Sequence, residues 1–259
     1  MTPDLPWLLP ALALVAFFYA CVGHAGATGY IAVFALAGLG GNEIRPLALV
    51  LNILVASLAT LQFVRAGQGH PRLVLVLALG SLPAALAGGA LALPVSWLHR
   101  FLAVVLLVPA WRLAWPASGA AAGAPTEAPP AYRLPSAPTI TATGGLLGFM
   151  AGLSGTGGGI FLTPLLILGR WLPARQAAGV SAAFILVNSL AGLTGLLLSG
   201  RPLLLPPPAS LLQIAAVVML AGASGAWYGS RRLPSPWIRR LLALLMLLAS
   251  VKLVNLSLG

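Results

Sequence analysis

Gly152-Leu153-Ser154-Gly155-Thr156-Gly157-Gly158-Gly159 interrupts an apolar stretch that otherwise runs from residue 140 to residue 169. Glycine is too dense from Gly155 to Gly159 for a helix to continue, since each one costs about 1 kcal/mol against alanine in a helix interior. The run splits the stretch into segments near 140–153 and 159–169. The first half of the chain holds a similar arrangement, in which Gly23-His24-Ala25-Gly26-Ala27-Thr28-Gly29 separates a segment at 5–22 from one at 29–40. A segment of 11 or 12 residues reaches only about 17 or 18 Å, short of a hydrocarbon core of about 30 Å.

The composition names the surrounding solvent. Of 259 residues, 59% are hydrophobic and 7% charged, against about 25% charged in a soluble domain. Mean hydropathy is +1.00. So few charges cannot cover a soluble globule, and so much apolar content excludes disorder. A spanning helix takes about 20 apolar residues, so the length allows roughly eight to ten crossings. The fold class is an all-α polytopic membrane protein embedded in the lipid bilayer. Residues 5–22 lack a basic leader region, with Asp4 and no Lys or Arg before them, and read as a retained segment rather than a signal peptide.

The net charge of +11 does not mark a nucleic-acid partner. Basic residues sit singly or in pairs at the ends of apolar segments, where topology signals belong, and not in runs that track a phosphate backbone. The acid deficit is more informative. Asp4, Glu43 and Glu127 are the three acids, and Glu43 beside Arg45 reads as a surface pair. Cation transporters use buried carboxylates, so their scarcity favours an anionic or neutral solute. The single Cys21 allows no intrachain disulfide and no Cys-rich metal site. No metal and no cofactor is expected. No Gly-Lys-Ser/Thr follows any glycine run, so no ATP loop is present.

Further apolar segments fall at 46–64, 72–92 and 97–115, then at 176–199, 209–229 and 237–256. Between the two sets, 116–139 is rich in Pro, Ala and Gly and reads as a linker. The expected division is 1–115, a first transmembrane repeat; 116–139, the linker; and 140–259, a second repeat. Leu93-Pro94-Val95-Ser96-Trp97-Leu98-His99-Arg100 lines up with Leu233-Pro234-Ser235-Pro236-Trp237-Ile238-Arg239-Arg240 at an offset of 140. At an offset of 129, Gly23, Gly26 and Gly29 match Gly152, Gly155 and Gly158. Five segments per half invert the second repeat relative to the first. Ten arginines (65, 72, 112, 133, 170, 175, 231, 232, 239 and 240) then share one side, against Arg45, Arg100, Arg201 and Lys252 on the other. The positive-inside rule makes the first side cytoplasmic. Both termini face outward and the linker lies inside.

Short or glycine-broken segments at matching positions of two halves point to a transporter's binding site. Glycine admits positive φ and lets a ligand approach the backbone. The helix leaving each tip presents free N–H groups and the positive end of its dipole. Two inverted tips aim two such ends at one midplane point, an anion site that needs few charged side chains. The candidate substrate-binding residues are Gly23, His24, Gly26, Thr28 and Gly29 at the first tip. At the second they are Ser154, Gly155, Thr156, Gly157, Gly158 and Gly159. Asn52 and Ser181, polar at matching positions, join them. Gly144 and Gly148, spaced by four, read as a packing seam. Pro164 lies near the start of its helix. Asn188, Ser189, Gln62 and Ser57 read as interhelical hydrogen bonders.

The stretch from Gly148-Phe149-Met150-Ala151-Gly152 through Thr163-Pro164-Leu165-Leu166, with Ala177-Ala178-Gly179-Val180-Ser181 after it, resembles the sulfite exporter TauE/SafE family (DUF81), a likeness covering about residues 8–256. The resemblance implies a multi-pass permease of the bacterial inner membrane, built from two inverted halves, for sulfite, sulfonates or related sulfur anions. The first half departs from the pattern. Thr28 and Tyr30 replace two glycines, and Ala35 stands where the second half has Pro164. A small anionic substrate is the expected partner, and a homodimer is compatible with the reading.

Two rivals belong to other classes. Gly152-Leu153-Ser154-Gly155 has the look of an intramembrane serine protease, whose serine needs a base within hydrogen-bond reach, and only His24 could meet it, tip to tip. The other rival is a membrane scaffold that transports nothing. The topology is testable with single cysteines at Thr2 and Thr126 in a Cys21→Ser background. In intact cells an impermeant thiol reagent should label residue 2 and not residue 126; the reverse pattern would overturn the assignment.

Overall fold

The computed structural model describes residues 6–91, 107, 110–113, 132–200 and 202–258, with side chains to residue 251. Its elements are α1 Leu8–Cys21, α2 Ala27–Leu36, α3 Gly41–Arg65, α4 Pro71–Ala90, α5 Ala137–Ser154, α6 Gly159–Leu168, α7 Ala174–Leu198, α8 Pro208–Arg231 and α9 Ser235–Leu258. No strand occurs among the described residues. Four of these helices, α3, α4, α7 and α8, are long and apolar enough to cross a membrane by length and composition. The expected segment at 97–115 lies mostly outside the described residues, as does most of the linker.

Glycine positions give the packing directions. Along α5, Gly144, Gly148 and Gly152 meet Leu77, Ser81 and Ala85 of α4 backbone to backbone. Both series rise together, so the two helices run parallel and the expected seam is in place. Gly225 and Gly229 of α8 meet Phe17 and Cys21 of α1 in the same sense. By contrast α3 and α7 are antiparallel, since Gly179 adjoins Phe63 and Gly192 adjoins Leu49. Small residues are what allow such approach where the lipid offers no hydrophobic drive for helix association.

The second tip is a hairpin. Arg133 N donates to Arg170 O at 3.0 Å, so the chain leaving α6 returns to the side where α5 began. With 10 residues, α6 spans about 15 Å, about half of a hydrocarbon core of about 30 Å.

The surface is apolar as well as the core, unlike that of a soluble protein. Leu220 is 74% exposed and Leu198 72%, while Asn52, Thr163, Ser181, Asn188 and Ser189 are all at 0%. Apolar side chains face lipid and the polar ones are enclosed. Such enclosed groups need partners, because an unpaired one costs several kcal/mol at membrane depth.

A Cβ on Gly152 would overlap the Ala85 carbonyl, whereas one on Gly145 would sit 3.6 Å from Gly80 O in ordinary contact. Gly152→Ala should therefore cost about 1–3 kcal/mol, the usual range for overpacking. Gly145→Ala should be near neutral. Thermal unfolding of the purified variants in detergent, compared with wild type, checks the contrast.

Candidate functional site

The second tip begins where α5 stops. Gly155, at φ 73°, caps the helix in the left-handed region, and Gly157 (φ 73°) and Gly158 (φ 81°) follow in the same region. Residues with a Cβ pay about 1–2 kcal/mol there, so the sequence turns sharply only because these three positions are glycine. Gly158 is the N-cap of α6 and receives no side-chain cap. The N–H groups of Gly157, Gly158, Gly159 and Ile160 have no acceptor among the described residues. They form the positive end of a buried helix.

The tip lies halfway along its neighbours. A Cβ on Gly157 would stand 2.7 Å from Ile185 Cγ2, 2.9 Å from Ser189 Oγ and 3.0 Å from Asn52 Nδ2. Asn52 and Ile185 are near the centres of the 25-residue helices α3 and α7. Asn52 Nδ2 donates to Ser189 Oγ at 3.3 Å, while Asn52 Oδ1 is buried without a partner. Asn188 Nδ2 donates to Phe184 O at 2.8 Å, and its Oδ1 is likewise unpartnered. Ser154 Oγ donates to Met150 O at 2.7 Å and lies 2.8 Å from Thr156 Oγ1.

His24 joins the tips. Its Nδ1 is 3.1 Å from Val22 O, and its Nε2 is 3.5 Å from Thr163 Oγ1. A carbonyl only accepts, so Nδ1 carries the proton of the neutral ring, and Nε2 lies beside Thr163, whose single proton goes elsewhere. Thr163 donates to Ser181 Oγ at 2.6 Å. Gly159 packs against Ile185 and His24. The structure thus brings His24, Asn52, Ser181 and the second-tip residues into one buried polar region.

Other first-tip positions do different work. Thr28 Oγ1 donates to Tyr19 OH at 2.9 Å within the α1–α2 contact, and Gly29 lies against Val15. Gly23 packs on the Ala178 backbone, and Gly26, the N-cap of α2 at φ 103°, lies under the Tyr30 ring. Helix bounds also revise the register. Ala27–Leu36 and Gly159–Leu168 begin and end 132 residues apart. Gly26 therefore stands opposite Gly158, and Gly23 opposite Gly155, rather than at the 129 offset. The reason is physical: these pairs share a positive φ, at 75° and 73° for Gly23 and Gly155 and at 103° and 81° for Gly26 and Gly158.

Four contributors escaped the sequence reading. Tyr30 OH is buried and unpartnered beside Gly26. Thr163, a lone hydroxyl in an apolar ten-residue helix, carried a legible signal. Ser189, expected as an interhelical hydrogen bonder, does accept from Asn52 across two helices, and it also lies against Gly157. Arg45 does not form the expected surface pair. Its Nη2 donates to Gly88 O, Gly89 O and Gly152 O at 3.0, 3.0 and 2.6 Å, and its Nη1 to Leu91 O at 3.2 Å. Glu43 instead turns onto its own helix start, accepting from Gly40 N at 3.0 Å. Pro164 is the sixth residue of α6, past the first turn, so it deprives the Ile160 carbonyl of its helical partner.

Enclosed hydroxyls, carboxamides and a broken helix within an apolar shell define a multi-pass membrane protein built around an internal polar site. The chain matches the family described as Sulfite exporter TauE/SafE over residues 8–253, and it belongs to that family. It is 37% identical over 247 residues to the Probable membrane transporter protein y4hK of Sinorhizobium fredii (strain NBRC 101917 / NGR234), covering 94% of this chain and 96% of that one. No solved structure matches it. The protein is a membrane transporter rather than an enzyme. Ser154 accordingly spends its hydroxyl on Met150 O and Thr156, and the His24 nitrogens face Val22 and Thr163.

At Gly157 and Gly158 a branched side chain meets both positive φ and close neighbours. Gly157→Val or Gly158→Val should abolish flux while the protein still inserts. Wild-type transport by both variants at matched membrane levels would show that the turn is not the site.

Proposed function

We propose that the protein moves a small sulfur-containing anion, such as sulfite or a sulfonate, across the bacterial inner membrane by alternating access around the paired tips. One observation carries this reading: four unpaired N–H groups at the start of α6 lie at mid-depth among buried hydroxyls and carboxamides. Glu43, the one carboxylate side chain among the described residues, lies at the start of α3. The field at the tip is therefore set by the helix end and by neutral donors, a combination that suits an anion. A partial charge of about +0.5 per helix end holds the anion without a full countercharge, so it can still leave.

The two halves act as inverted repeats in this account. The antiparallel α3–α7 pair supports it, with α1 on α8 and α4 on α5 as exchanged partners. Seven of the ten arginines assigned to the cytoplasmic side lie in loops or within two residues of a helix end, and two of them bond to neighbouring elements there. Arg231 Nη1 donates to Gln62 at 2.9 Å and Arg175 Nη2 to Leu233 O at 2.7 Å. This supports outward termini and a cytoplasmic linker. The membrane potential then drives anions outward.

Sulfite flux in proteoliposomes tests the proposal. Wild-type protein should carry it, and Ser154→Ala and Thr156→Val should each weaken affinity by about 1 kcal/mol, the usual net worth of a hydrogen bond. Because the two hydroxyls touch, the double variant should lose less than the two losses combined. Liposomes with wild-type protein that pass no sulfur anion would overturn the reading in favour of a scaffold.

A further inference from the structure

The second tip has more than donors. Asn52 is fully buried, its Nδ2 is engaged by Ser189, and its Oδ1 has no partner. Its carboxamide lies against Gly157, where the free N–H groups begin, with Nδ2 the nearer atom and Oδ1 beside it on the same group. An enclosed carbonyl oxygen left unpaired costs about 1–3 kcal/mol, and most such oxygens in native proteins are satisfied. An anion whose oxygens only accept would fill the N–H groups and leave Asn52 Oδ1 as it is. It would also place a negative oxygen near that carbonyl dipole.

We propose that the bound anion carries a hydrogen-bond donor of its own on or beside its central atom, which it gives to Asn52 Oδ1 while its oxygens accept from the α6 N-terminus. This rests on the anion-transport reading and narrows it. The site selects monoanions that retain a proton, such as hydrogensulfite, or that bear an amino or hydroxyl group, over anions of the same shape with acceptors only. A site built to hydrogen-bond a ligand group rejects an analogue lacking it, because the protein group is then left unpaired. Tyr30 OH, unpartnered beside Gly26, is an additional donor at the first tip and does not meet the need for an acceptor's partner.

Sulfamate and methanesulfonate form the probe pair. Both are monoanionic sulfonates of similar size, and they differ in an amino group against a methyl group. Binding to the purified full chain is measured by titration calorimetry at one pH, with sulfate as a dianion bearing acceptors alone. Wild type should prefer sulfamate over methanesulfonate by roughly ten- to hundredfold, with sulfate weaker than sulfamate. Asn52→Leu, which fills the volume and cannot accept, should bring the sulfamate-to-methanesulfonate ratio to about one. The wild-type comparison needs no variant, so a poorly folded Asn52→Leu leaves the test intact. Equal binding of the pair by wild type, or tighter binding of sulfate than sulfamate, overturns this inference and leaves the anion reading standing. Binding of none of the three overturns both. An unchanged ratio in Asn52→Leu overturns the assignment to Asn52.

Discussion

A backbone polar group inside a bilayer must find a partner, and almost everything in this fold follows from where that rule is relaxed. Unbroken helices satisfy it alone. Two helices here are broken, and their freed groups at mid-depth are tolerated only because protein encloses them. At the second break, glycines at Gly155, Gly157 and Gly158 turn the chain, and the α3 and α7 midpoints close around it.

The two ends of the break are treated differently. Carbonyls at the ends of α4 and α5 converge, and Arg45 takes up Gly88, Gly89 and Gly152. A cation there complements two dipole C-termini at once. The N–H groups across the turn receive no such side chain. The positive charge is thus spent on fixing the tip, while the helix start is left for a ligand. On the proposed reading, so basic a protein would hold an anion without presenting an arginine to it.

Much of this was legible in the residues. The segment expected at 176–199 is the helix Ala174–Leu198, and that at 159–169 is Gly159–Leu168, because apolar runs and glycine breaks report membrane depth directly. The glycine turn was legible for the same reason. Orientation of side chains was not, since helices apolar all round show no face. Gly29 looked like a tip residue yet packs on Val15. Arg45 looked like half of a surface pair yet reaches a carbonyl 107 residues away. Letter matching placed Gly29 against Gly158, where backbone geometry pairs Gly26 with Gly158.

The central claim is that backbone N–H groups, not an arginine, hold the anion. Amide chemical shifts measure this directly. With glycine and isoleucine labelled in nitrogen-15 and arginine side chains labelled in parallel, sulfite is titrated into the purified protein in micelles. The account requires saturable downfield shifts at the amides of Gly157, Gly158, Gly159 and Ile160, with the Arg45 guanidinium signals retained in place. Unmoved tip amides together with a saturable shift of an arginine side chain would contradict it.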